Sequence, residues 1–123
     1  MIENKLPFSI PGVDIESGIV YSGGTMEFYI KVLSIFCIDV KERLPLIQII
    51  PDDSNITKFY THIHALKSSF ASIGAKELSD RAALLETDSR NNDFKSIKNN
   101  LADFVNRIIE LENNITKILE SYT

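Results

Sequence analysis

The sequence predicts an all-α fold: an antiparallel up-down four-helix bundle with a short additional N-terminal helix. Three observations lead there. Four long segments carry apolar residues at alternating steps of three and four, the spacing that lays a stripe along one side of an α-helix. No stretch keeps the period of two that a half-buried strand needs. Glycine and proline fall between the long segments rather than inside them, Pro45 apart. Amphipathic segments joined by short turns bury their stripes most simply against one another, with the short first helix lying across one end.

Residues 1–12 contain Pro7, Pro11 and Gly12, which disfavour regular helix and suggest an extended or loosely packed lead-in or linker, so the domain itself is placed over residues 13–123. Asp14 caps a short helix over Ile15 to Tyr21, Val13 is the apolar residue before it, and Gly23-Gly24 stops it. Thr25 caps the next helix, which starts near Met26. Its stripe runs through Tyr29, Val32, Leu33, Phe36, Val40, Leu44 and Ile47, with Pro45 kinking or ending it. Pro51-Asp52-Asp53-Ser54 is a turn, and a third helix runs from about Asn55 to Ile73, closed by Gly74. A fourth extends from about Lys76 to Ser89 with Leu78, Ala82 and Leu85 inward, and Asn91-Asn92 turns the chain. Asp93 caps the last helix. Its apolar residues, from Phe94 through Ile97, Leu101, Phe104, Ile108, Leu111, Ile115 and Ile118 to Tyr122, make the most regular heptad in the chain.

At 123 residues the chain can bury one core but not two. It is 44% hydrophobic and 24% charged, and no apolar run approaches the roughly 20 residues that span a bilayer, so a soluble cytoplasmic protein is expected. The N-terminus lacks the basic start and long apolar run of a signal peptide. The single cysteine, Cys37, cannot form an internal disulfide and reads as a buried core thiol. With 13 basic and 17 acidic side chains the net charge is −4, without a block of like charge, which argues against nucleic-acid binding.

Chemistry concentrates on the third helix. Phe59, Ile63, Leu66, Phe70 and Ile73 form its inward stripe. Taking about 100° of rotation per residue, His64 lies roughly 140° from the stripe centre and points at water, on the side shared by Tyr60, Lys67, Ser68 and Ala71. His62 lies roughly 60° from that centre, close enough to pack on a neighbouring helix with its polar edge satisfied there. Ser68, the i+4 neighbour of His64, is small enough to leave both faces of the imidazole open, and Lys67 at i+3 adds a positive charge. An accessible ring nitrogen beside an ammonium suits an incoming anion, and phosphoryl is an anion that histidine carries. A neutral imidazole is nucleophilic near physiological pH, its ordinary pKa being about 6.5. His62 and His64 do not make a metal pair, because residues two apart on a helix diverge and no further ligand completes a site.

These residues resemble the histidine-containing phosphotransfer (HPt) domains of bacterial two-component phosphorelays. The resemblance rests on His64-Ala65-Leu66-Lys67-Ser68-Ser69, Ile73-Gly74-Ala75, Leu78 and Leu84-Leu85-Glu86. An upstream Pro11-Gly12-Val13-Asp14 with Gly23-Gly24 extends it over nearly the whole chain. It implies that His64 accepts a phosphoryl group from an aspartyl-phosphate of a receiver domain and relays it to a response regulator. Lys67 would steady the phosphoryl oxygens, and Ser68 would serve as the small residue giving access. The family's commonest residue after the lysine is glycine, for which serine is the mildest replacement. The receiver domain would bring the acidic pocket and Mg²⁺, so this domain needs no cofactor or metal of its own.

Tyr60, Ala65 and Ala71, taken as exposed beside His64, are candidates for an apolar patch that docks the receiver. Glu86, at the family's Leu-Glu position, reads as a solvated or helix-pairing charge rather than a chemical group. No glycine-rich phosphate loop is present, so the domain is expected to be a phosphocarrier without kinase activity of its own. A monomer is expected, either free-standing or the C-terminal domain of a hybrid sensor kinase, whose parent chain would be a histidine kinase. A reading from another class is a helical docking module that binds a receiver domain or other signalling protein and carries no phosphoryl group.

Overall fold

The computed structural model describes residues 7–122, and among them the chain forms α1 (Ile15–Tyr21), α2 (Met26–Ile47), α3 (Ile56–Ile73), α4 (Lys76–Arg90) and α5 (Phe94–Glu120), without a strand. The expected caps are in place. Asp14 accepts from the Ser17 N–H at 3.2 Å, Thr25 from Phe28 at 3.2 Å and Asp93 from Ser96 at 3.1 Å, each satisfying an amide that a helix start leaves without a partner. Asn55 precedes α3 but does not cap it. Its side chain instead accepts from the Asp52 N–H at 2.8 Å, inside a turn where Asp52 also accepts from Ser54. Gly74 closes α3 with φ 89°, the left-handed region that glycine enters without a Cβ clash.

Three expectations need correction. Pro45 does not end α2, which continues through it to Ile47. So near a C-terminus the missing proline N–H costs a single internal bond, while Ile47 beyond it is fully buried and draws the chain inward. The stripe of α5 stops short of Tyr122, which lies past the helix end, about half exposed, with its ring edge-on to Phe8 at 5.8 Å. The lead-in is not loosely packed throughout. Residues 1–6 lie outside the described residues, but Ile10 is buried in the core because a large aliphatic side chain gains more from burial than a short irregular segment loses in freedom.

Antiparallel order follows from contacts that run in opposite senses along each pair of neighbours. Between α2 and α3, Tyr29 meets Ile73 while Arg43 meets His62. Between α3 and α4, Ser79 reaches the Lys67 carbonyl while Arg90 reaches Tyr60. Between α4 and α5, Arg81 pairs with Asp103 and Asp88 accepts from Ser96. Lys41–Glu112 and Cys37–Thr116 join α2 to α5, which closes the ring. α2 packs on α3 and α5, and α4 on the same two, so α2 and α4 are diagonal. Phe70 of α3 sits at the centre, 5.8 Å from the Phe36 ring and 6.1 Å, edge-on, from Phe104. Cys37 is the expected buried thiol, and burial pushes its pKa up.

α1 packs on α3 and α2 at the end where α3 turns into α4. The approach is as close as backbones allow: the Asp14 N–H donates to the Gly74 carbonyl at 2.9 Å, and a Cβ on Gly74 would strike the Asp14 carbonyl. Gly18 lies inside α1, where glycine is a poor helix former, because a Cβ there would collide with both the Ile73 carbonyl and the Tyr29 ring. That gap lets the buried Tyr29 hydroxyl donate to the Ile73 carbonyl at 2.8 Å. Gly18→Ala should therefore destabilise the domain by about 1–3 kcal/mol despite the better helix propensity of alanine. A urea titration showing an unchanged or raised midpoint would refute this account of the α1 contact.

Candidate functional site

α3 presents His64 to solvent, its side chain 55% exposed, and α4 sets Glu86 beneath it, 1% exposed. His64 Nδ1 lies 2.9 Å from Glu86 Oε2, and Lys67 Nζ lies 2.6 Å from Glu86 Oε1. Arg90, one turn along α4, reaches Oε2 at 3.4 Å and the Tyr60 hydroxyl at 3.3 Å. The Tyr60 ring stacks on the imidazole, centroids 5.9 Å apart and planes 14° from parallel, while the Arg90 guanidinium lies 5.4 Å over the other ring system, that of Tyr60. Three side chains that can carry positive charge thus converge on one buried carboxylate.

The electrostatics fix the tautomer. Burial alone would raise the Glu86 pKa, but the hydrogen bonds from Lys67 and His64, with their charges, outweigh it and hold the carboxyl below its ordinary range. Glu86 is ionised near neutrality and has no proton to donate. In the neutral ring Nδ1 must therefore be the donor, which leaves the lone pair on Nε2.

His62 obeys the opposite logic. Arg43 of α2 approaches its Nδ1 at 2.8 Å, and since a guanidinium only donates, that nitrogen accepts. Burial and the Arg43 charge lower the His62 pKa. The angular reading of the helix is met on both counts: His62 is satisfied against a neighbouring helix, and His64 faces water. The two rings turn to different partners, Arg43 and Glu86.

Several site expectations change. Ser68 is exposed, but Tyr60 at i−4 stacks on one face of the imidazole, so the ring is not open on both sides. Tyr60 and Ala65 are half-buried rather than exposed: Tyr60 is held between His64 and Arg90, and Ala65 sits beside the buried Leu66. Ala71 is exposed and lines an open groove of about 530 Å³ with Asp14, Ser17, Tyr21 and Ser79, between α1 and the α3–α4 turn. Lys67 is half-buried and already engaged with Glu86.

Of the two readings of Glu86, the helix-pairing charge holds and the solvated one falls: it is the buried α4 partner of the exposed histidine on α3. The signal was in the sequence, since Glu86 follows the inward Ala82 by four residues, and a carboxylate in an apolar register must be paired to be buried. Arg90, four residues on, carries no such signal, because its purpose depends on the tertiary position of Tyr60.

Among the described residues no group of three or more His, Cys, Asp or Glu side chains is placed to hold a metal ion, and no helix is long and apolar enough to cross a membrane. A family model described as the Hpt domain matches residues 31–120. No curated protein and no solved structure matches the chain.

A pH dependence follows from Glu86. Its folded pKa lies below the ordinary 4.5, so its stabilisation is complete above that value and is lost as pH falls through the folded pKa. Thermal melts between neutrality and about pH 3 should show Glu86→Gln losing less stability on acidification than wild type. Parallel curves would remove Glu86 from the acid response.

Proposed function

This chain belongs to the Hpt domain family, and from that premise we propose that His64 is the phosphoryl carrier, charged by an aspartyl-phosphate of a receiver domain and discharged onto a response regulator. Hpt domains act in phosphotransfer within two-component signalling, as phosphocarriers rather than kinases. The observation that carries the reading is the 2.9 Å contact between His64 Nδ1 and the buried Glu86 carboxylate, which leaves Nε2 free on a half-exposed ring.

The transfer needs no proton delivered. Nε2 attacks phosphorus, the bond from phosphorus to the aspartyl oxygen breaks, and the aspartate departs as a carboxylate while Nδ1 keeps its proton. The phosphorylated ring is then an imidazolium, whose positive charge Glu86 stabilises at hydrogen-bond distance. The same charge keeps imidazole a good leaving group, so a second aspartate can take the phosphoryl group by the reverse step. Glu86 acts through His64 and is a positioning residue.

Lys67 is ion-paired with Glu86 at 2.6 Å and keeps N–H groups for phosphoryl oxygens. Ser68 admits the incoming group on the open face of the ring, opposite Tyr60. Tyr60, Ala65 and Ala71 form the floor and rim on which the receiver domain docks. That partner supplies the acidic pocket and Mg²⁺. Phosphoryl transfer is mostly positioning and charge stabilisation, so a rigid exposed ring is a sufficient contribution from this side.

The test is incubation with Mg²⁺ and a phosphorylated receiver domain, followed by intact mass and acid-lability analysis. Wild type gains one acid-labile phosphoryl group and His64→Gln gains none. Glu86→Gln, which keeps an acceptor at Nδ1 but removes the charge, still labels, slowed roughly tenfold, equivalent to about 1.4 kcal/mol. Receiver binding without labelling of wild type would favour the docking module.

A further inference from the structure

α2 carries a second apolar stripe on the side away from the core. Phe28, Ile35, Ile38, Leu46 and Ile49 are 53, 65, 61, 58 and 74% exposed, an unusual run of large hydrophobic side chains along one helix and the segment just past it. Phe28, Ile35, Glu42 and Ile49 recur every seven residues, and Lys31, Ile38 and Pro45 recur every seven with an offset of three. That is the pattern of a coiled-coil seam, and among the described residues nothing covers it.

The two charges in the seam say what covers it. Lys31 and Glu42 have no oppositely charged partner among the described residues, the Lys31 ammonium resting instead 5.6 Å over the Phe28 ring. We propose that a second copy of this chain packs on α2, antiparallel and two-fold symmetric, with the axis level with the Phe36–Cys37 peptide. This one register sets Ile35 of each copy opposite Ile38 of the other. It also sets Lys31 opposite Glu42 and Phe28 opposite Pro45. The interface is isologous, so every pairing occurs twice and both unpaired charges are neutralised by the same rotation that buries the isoleucines. A parallel pairing would instead set Lys31 on Lys31 and Glu42 on Glu42.

The dimer leaves the chemistry open. α2 is diagonal to α4, while His64 lies on the α3–α4 side against Glu86, so each copy still presents Nε2 to a receiver domain. The proposed dimer departs from the monomer expected from the sequence.

Sedimentation equilibrium of the chain over a concentration series provides the test. The mass rises with concentration toward twice 13.9 kDa. Ile38→Asp stays monomeric at those concentrations, while its helical circular dichroism and its labelling at His64 match wild type. Lys31→Glu and Glu42→Lys each raise the dissociation constant about tenfold, and the double variant returns it to within about threefold of wild type, because the pairs are restored with reversed sign. A wild type that stays monomeric throughout overturns the proposal. Dimerisation of Ile38→Asp, or a double variant no tighter than the singles, overturns this interface.

Discussion

A carboxylate almost removed from solvent must be neutralised where it stands, and Glu86 is the point to which the functional face is fitted. Lys67 and His64 reach it from α3 and Arg90 from its own helix, so the buried charge both fastens α3 to α4 and determines which nitrogen of His64 faces water. Exposure alone would leave the imidazole free to rotate and to take either tautomer. The Glu86 contact removes one of those freedoms and the Tyr60 stack restricts the other.

That arrangement demands a fixed register between α3 and α4, and the turn between them supplies it. Gly74 reverses the chain in the left-handed region, and α1 clamps the reversal by lying against it with no side chain between the backbones at Gly18 and Gly74. The Tyr29 hydroxyl, bonded to the Ile73 carbonyl, ties the start of α2 to the same point. The short N-terminal helix is therefore part of the apparatus that holds the histidine, though it lies ahead of the residues matched by the Hpt family model.

The four bundle helices divide the surface between them. The α3–α4 side carries an exposed imidazole over a polar network, whereas the outer side of α2 carries an exposed apolar stripe with Lys31 and Glu42, neither of which has an oppositely charged partner among the described residues. A ring topology in which α2 and α4 do not touch separates the two, so that covering one leaves the other accessible.

The sequence by itself determined the helices, their caps and the direction in which His64 points, because these depend on spacing and local hydrogen bonding, which neighbours in the chain decide. Asp14, Thr25 and Asp93 act as their side chains dictate and Gly74 as its lack of one allows, and the angular difference between His62 and His64 is a property of one helix. The resemblance carried by His64 through Ser69 and the pieces around it indicates the family from local sequence alone. What only the tertiary structure decided were the relations between helices. The burial of Glu86, the use of Arg90, the covering of one imidazole face and the need for glycine at position 18 each arise from residues brought together by packing across elements. A charge in an apolar register is a question that a sequence can pose, and only the position of its partners answers it.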